Sequence, residues 1–260
     1  MSRIHPSAIV DPRAEIAEDV EIGPYCIVEG SVRIGARTRL ISHVSIAGRV
    51  ELGEDCLIYP FTALGHPPQD FKFKGEDTRL AIGPRTVLRE HVTMHLGTAA
   101  ARGETVVGSD GYFMVAAHVA HDCVVGDHVI FANNGTLGGN CTVGDYVIIG
   151  GLAAVHQNTR VGAHAFLGAG TVAVGDIIPY GSAYGRYASL NGLNLVGLKR
   201  RGFNRDVIHD LRVAYRLLSA KEGTLQERIE GLASMFPGRP EVLEIIAFAQ
   251  EDSSRNLCLP

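Results

Sequence analysis

Long apolar runs, a strong excess of either charge and closely paired cysteines are all missing from this chain of 260 residues. Apolar stretches such as "YVIIGGLAAV" are too short to cross a bilayer, and the opening "MSRIHPSAIVDP" has neither a long apolar segment nor a small-residue cleavage site. A cytoplasmic protein without membrane insertion is expected. The formal net charge is -4 with 20% charged residues, which argues against a general nucleic-acid binder and makes any basic partner site local. Cys26, Cys56, Cys123, Cys141 and Cys258 contain no CxxC pair and leave an odd one over. Neither a disulfide framework nor a zinc site is expected, and the thiols read as reduced and structural.

What the chain has instead is a beat of six. Stepping from Ile4, an aliphatic residue falls on Val10, Ile16, Ile22, Val28, Ile34, Leu40, Ile46, Leu52, Ile58 and Leu64. The beat breaks at "GHPPQDFKFKGEDTR", returns at Ile82, Leu88 and Met94, and breaks again at "HLGTAAARGET". It then runs from Val107 through Val119, Val125, Leu137 and Val155 to Leu167. Two residues before each beat sits a slim side chain, such as Val20, Cys26, Val32, Thr38, Cys123 or Cys141. An aliphatic and a small residue turned inward every six residues is the mark of a parallel β-helix whose stacked coils bury one continuous core. The pattern resembles the left-handed hexapeptide acyltransferases, which implies left-handed coils of three six-residue sides.

After "GDIIPYGS" the beat stops and apolar residues recur at helical spacing, with Val207, Leu211, Ala214 and Leu218 on one face. Asn204 is placed to cap the first helix, and Gly223 with Thr224 to end it and start another. The expected division is a β-helix over residues 1–183, with excursions near 65–80 and 95–106, and a helical domain over 184–260.

On coils of three such sides, His121, Gly139 and Gln157 stack in one column. His118 and His121 lie off the inward positions and are expected to face solvent or a partner subunit, with His156 in the neighbouring column. An imidazole, ordinarily titrating near 6.5, suits general-base work at neutral pH, and a neighbouring carboxylate such as Asp122 can fix its tautomer. Zinc held by these histidines is the rival reading, and ordinary surface histidines the bland one. Gly139 reads two ways: its N–H is open to an oxyanion beside His121, or "LGGN" is a corner that needs positive φ. "KRRGFNR" is a basic run suited to phosphates and to an acidic carrier, or simply a solvated helix face.

"HPPQD", "TMHLGT", "HVAHDC", "ANNGTLGG", "IIGGLAAVHQ" and "GLKRRGF", in this order and with the helical tail, resemble the UDP-N-acetylglucosamine acyltransferases of lipid A biosynthesis. The resemblance implies a homotrimer with sites between subunits. It also implies transfer of an (R)-3-hydroxyacyl group from acyl carrier protein to the sugar 3-hydroxyl of UDP-N-acetylglucosamine, with no metal or dissociable cofactor. His121 then matches the general base, Asp122 its orienting partner and Gly139 the oxyanion N–H. Gln69, Asp70, His95, His118, His156 and Gln157 match sugar-nucleotide or acyl-chain contacts. Asn194, Arg200 and Arg201 match contacts to the phosphopantetheine arm or the nucleotide, and Phe166 and Ala169 match the acyl groove. Asn140 stands where the family commonly has histidine, Leu96 where it commonly has arginine, and "GRYASLNG" replaces a more usual segment. Those departures bear on acceptor contacts. Two alternatives stay open. One is transfer to an amine, on a 3-amino sugar nucleotide or the UDP-3-acyl-glucosamine of a later N-acylation; the other is a non-catalytic scaffold.

Overall fold

The computed structural model describes residues 2–260. Most strands are two residues long, one side chain inward and one outward. Each regular strand pairs in parallel with its counterpart one coil on, as His118 does with Thr136, and Thr136 with Ala154. Among the described residues the strands form three sheets of eleven, nine and eight, here called the first, second and third faces of a triangular prism. Inward beat residues such as Ile22, Ile58, Leu88, Val119 and Leu137 are fully buried or nearly so, as are the slim partners Val20, Cys26, Ala117 and Cys123. All five cysteines are free and buried. Phe113 stacks on Phe131 inside the core, 4.7 Å between ring centres, and both are fully buried.

The edges of the prism need the left-handed backbone region. From Asp110 to His164 every sixth residue, including Asp122, Asn140 and Tyr146, has φ between 55° and 62°. None of these is a glycine, and the beat does not reveal them.

Both breaks in the beat are excursions from one edge. Ala63 pairs with Thr93, thirty places along instead of eighteen, and Thr93 with His118, twenty-five along. The insertions therefore amount to twelve and seven residues. They fall within the connections 67–78 and 96–103, between strands Ala63–His66 and Arg79–Ile82 and between Thr93–His95 and Glu104–Val107, tighter limits than the sequence suggests.

Residue 183 does not end the first unit. It lies inside strand Gly181–Tyr184, which stacks on the first face and turns into the antiparallel strand Ser189–Leu193. Helices α1 (Leu195–Arg200), α2 (Arg205–Leu218), α3 (Leu225–Met235) and α4 (Pro240–Gln250) follow. Asn204 caps α2 and Val207, Leu211, Ala214 and Leu218 are its buried stripe. α2 stops at Leu218 under Ser219, short of Gly223, and Thr224 opens α3 with a reciprocal capping box to Glu227. The chain end then returns to the prism, where Asp176 pairs with Leu257.

Candidate active site

His121 and Asp122 form the corner between strands His118–Val119 and Val124–Val125, at the edge joining the second and third faces. The left-handed turn at Asp122 (φ 60°) sends its side chain beneath the second excursion, where it is 0% exposed. There its carboxylate accepts from Thr98 N at 2.9 Å, Thr98 Oγ1 at 2.7 Å and Gly103 N at 3.1 Å. Its own N–H donates to Thr105 Oγ1 at 2.9 Å. A buried carboxylate is tolerated only when so surrounded by donors.

The remaining acceptor direction is taken by His121, whose Nδ1 lies 2.8 Å from Asp122 Oδ2. A carboxylate among donors can only accept, so Nδ1 carries the proton and Nε2 presents a lone pair. The His121 side chain is 18% exposed. His118 and His121 lie off the inward positions, as expected, and both are half-buried within their own protomer because the second excursion and His95 wall the corner.

Gly139 is the next residue up the column, and its φ is not positive; the left-handed seat belongs to Asn140. The "LGGN" corner does need a positive φ, but at Asn140 and not at Gly139. A Cβ on Gly139 would lie 2.6 Å from Cε1 and Nε2 of His121, so the missing side chain is what lets the imidazole rest against bare backbone. The flanking amides are used, Gly138 N–H by Val155 O and Asn140 N–H by His121 O, whereas the Gly139 N–H meets no backbone acceptor among the described residues.

His95 and His118 extend the site along the second face, their rings edge to face at 5.0 Å. His118 Nδ1 and Thr93 Oγ1 are 2.7 Å apart. Burial, helped by the neighbouring His118, His66 and His121, pushes His95 down to about 4, and its Nδ1 is buried without a partner. Burial likewise lowers His118, with His121 adding to it. These rings are built to stay neutral. No three histidine, cysteine or acidic side chains converge on a metal-holding position among the described residues.

The other sequence candidates are dispersed. Gln69 is exposed on the first excursion and Asp70 braces that loop, accepting from Lys72 N at 2.9 Å. Phe166 lies on the first face against Tyr184, and exposed Ala169 lies on the edge between the first and second faces. Neither adjoins the His121 edge within one protomer. Asn194 works as a joint: its Oδ1 caps α1 by accepting from Gly197 N, and its Nδ2 donates to His164 O at 2.9 Å. Arg200 is exposed, while Arg201 folds over the Tyr146 ring, 5.6 Å from its centre, with Nε and Nη2 buried and unpartnered. His156 and Gln157 are exposed, on the coil beyond Gly139, and are held by Arg255.

The sequence reading missed Thr98, Gly103, Thr105, Thr93, His66 and Arg255. The "HLGT" and "ARGET" segments offered a signal, since a loop beside the coil that carries His121 is well placed to cover it. Nothing in the six-residue beat points to Arg255.

A family model described as UDP-N-acetylglucosamine O-acyltransferase, domain 2, matches residues 176–258. The acyl-[acyl-carrier-protein]–UDP-N-acetylglucosamine O-acyltransferase of Caulobacter vibrioides is 54% identical over 257 residues, covering 99% of this chain and 98% of that one. Its counterpart in Thermodesulfovibrio yellowstonii is 46% identical over 262 residues, covering 99% and 100%. Among solved structures, the UDP-N-acetylglucosamine acyltransferase of Francisella novicida superposes with a TM-score of 0.95 at 32% identity, over 99% of this chain and 94% of that one. The UDP-N-acetylglucosamine O-acyltransferase of Moraxella catarrhalis gives 0.93 at 38% identity, over 98% and 99%.

Proposed function

Because this chain belongs to the family of acyl-carrier-protein-dependent UDP-N-acetylglucosamine O-acyltransferases, we propose that the His121 edge is the centre where its acyl transfer takes place. The protein is an enzyme that moves an acyl group from acyl carrier protein to UDP-N-acetylglucosamine. The finer reading is an (R)-3-hydroxyacyl donor and the sugar 3-hydroxyl as acceptor, at the start of lipid A biosynthesis in the cytoplasm. No helix among the described residues is long and apolar enough to cross a membrane.

The observation that carries the assignment is the alignment of His121 Nε2, with its lone pair free, against the bare backbone of Gly139. Nε2 takes the proton of the sugar hydroxyl as its oxygen bonds to the thioester carbon. The carbonyl oxygen becomes an oxyanion held by the Gly139 N–H, a donor of the kind worth about 10²–10³ in rate. Collapse breaks the C–S bond, and the departing thiolate of the carrier's arm recovers the proton from the imidazolium. Asp122 keeps the ring in the productive tautomer throughout. Exposed Arg200 suits the acidic carrier, and Arg201, which burial makes less basic, suits a phosphate that can desolvate with it.

The placement of the remaining candidates supports a homotrimer. Phe166, on the first face, and Ala169, on its edge with the second, meet the His121 edge only if a second copy brings them there. The second face offers the seam. Its outward column from Ile9 and Ile27 through Ser45, Ala63 and Thr93 to Thr136, Ala154 and Val172 carries no charged residue. The first and third faces instead carry ion pairs such as Arg39–Glu21 and Arg33–Glu15. Brought to the His121 edge by a second copy, the bulk of Phe166 and Ala169 shortens the acyl groove, at about 0.8 kcal/mol for each methylene left unburied.

The test is purified protein with UDP-N-acetylglucosamine and 3-hydroxyacyl carrier proteins of increasing length. Products are identified by mass and by base lability, which separates an ester from an amide. An ester from one medium-length donor is expected; no transfer across the panel would overturn the reading. Sedimentation of the same sample reports the trimer.

A further inference from the structure

Beyond α4 the chain returns along the prism, where Asp176 N–H donates to Asn256 O at 2.9 Å and Cys258 N–H to Asp176 O at 2.8 Å. This carries Arg255 to the edge that holds His121, on the coil beyond Gly139. Its Nη2 lies 2.7 Å from His156 Nδ1 and 2.9 Å from Gln157 O, and its Nε lies 3.2 Å from Gln157 O.

A guanidinium donates and never accepts, so His156 Nδ1 must be the acceptor and the ring's one proton sits on Nε2. The competing arrangement is close at hand. His156 Nδ1 is 3.2 Å from Gln157 O, so with Arg255 removed an Nδ1–H can donate to that carbonyl and leave Nε2 without a proton. Arg255 blocks this by occupying both acceptors at once. We propose that Arg255 is a positioning residue that selects the Nε2–H tautomer of His156, so that this ring offers the bound nucleotide sugar a donor. The active edge then carries two histidines of opposite polarity: His121 with Nε2 as acceptor, and His156 with Nε2–H as donor. This rests on the reading that His156 meets the substrate.

The tautomer is read directly, without turnover, from nitrogen-15 histidine spectra above the imidazole titration range. The Nε2–H form is expected in wild type and a shift to Nδ1–H in Arg255→Ala. Kinetically, Arg255→Ala is expected to raise the KM for UDP-N-acetylglucosamine about tenfold with kcat little changed, the scale of one lost hydrogen bond. Arg255→Lys should recover part of this, because an ammonium can still donate to Nδ1. His156→Ala should show the same KM increase, and the double variant no more than either single. An unchanged tautomer in Arg255→Ala, or additive KM effects in the double variant, overturns the proposal. If His156→Ala leaves KM unchanged while the tautomer still responds to Arg255, the substrate contact falls. Absence of acyl transfer by wild type would sink the assigned function and leave the spectral result standing.

Discussion

At the corner beside His121 the left-handed turn falls on Asn140, and the side chain that Gly139 lacks leaves its space to the His121 ring. Gly139→Ala therefore needs no backbone change, yet its Cβ would stand 2.6 Å from His121 Nε2. The ring must move, and a misplacement of about 1 Å can cost about 10²-fold. A fall in kcat of that order with an unchanged unfolding midpoint is expected; normal kcat would mean the ring does not need that place. Asp122 was legible as a partner for His121 but not as the anchor of the second excursion, because Thr98 and Gly103 lie 24 and 19 residues away. Asp122→Asn puts an NH2 where those donors point, leaving at least one unsatisfied at about 1–3 kcal/mol. The expected result is lost activity together with lost stability and faster amide exchange at Thr98 and Gly103. Activity loss with unchanged exchange would confine Asp122 to orienting His121.

At the scale of elements, the six-residue beat is legible because one inward aliphatic per side is what a stacked coil requires, and the helical tail because Val207, Leu211, Ala214 and Leu218 make one stripe. The excursions were visible only as gaps in the beat. That 96–103 closes over the His121 corner depends on contacts to a later coil, which periodicity does not carry. The strand Thr93–His95 shows what the closure does to titration. His95 falls from 6.5 in the unfolded chain to about 4 when folded. Above 6.5 both states are neutral and His95 contributes no pH dependence. As pH falls from 6.5 towards 4 the unfolded chain takes up a proton that the folded one refuses, so stability declines through that window. The shift corresponds to about 3 kcal/mol over the whole window. Denaturant midpoints measured from pH 7 to 5 should fall less steeply in His95→Gln than in wild type, and identical slopes would show that His95 is not held neutral.

The whole molecule is a prism whose far end is closed by a chain that had to leave it first. Neither the beat nor the helical stripe announces that residues 251–260 come back, since the return is fixed by polar contacts across some ninety residues of sequence. Arg160, 14% exposed, is the centre of that closure. Its Nε donates to the fully buried Asp176 at 2.8 Å, its Nη1 to Glu251 at 2.6 Å and its Nη2 to Phe248 O at 3.1 Å, while its guanidinium covers the Phe248 ring. Removing one partner of a buried ion pair leaves the other uncompensated, at a cost of about 3–5 kcal/mol. Arg160→Ala is therefore expected to lower the unfolding midpoint strongly and to free the tail, because Asp176 also holds Asn256 and Cys258. Trypsin reads the second effect. Arg255 is pinned to His156 and Gln157 in wild type and should resist cleavage, whereas in Arg160→Ala it should be cut before the β-helix is. Equal cleavage rates at Arg255 in the two proteins would show that the tail holds its place without Arg160, and that the prism's end and its His121 edge are closed by separate means.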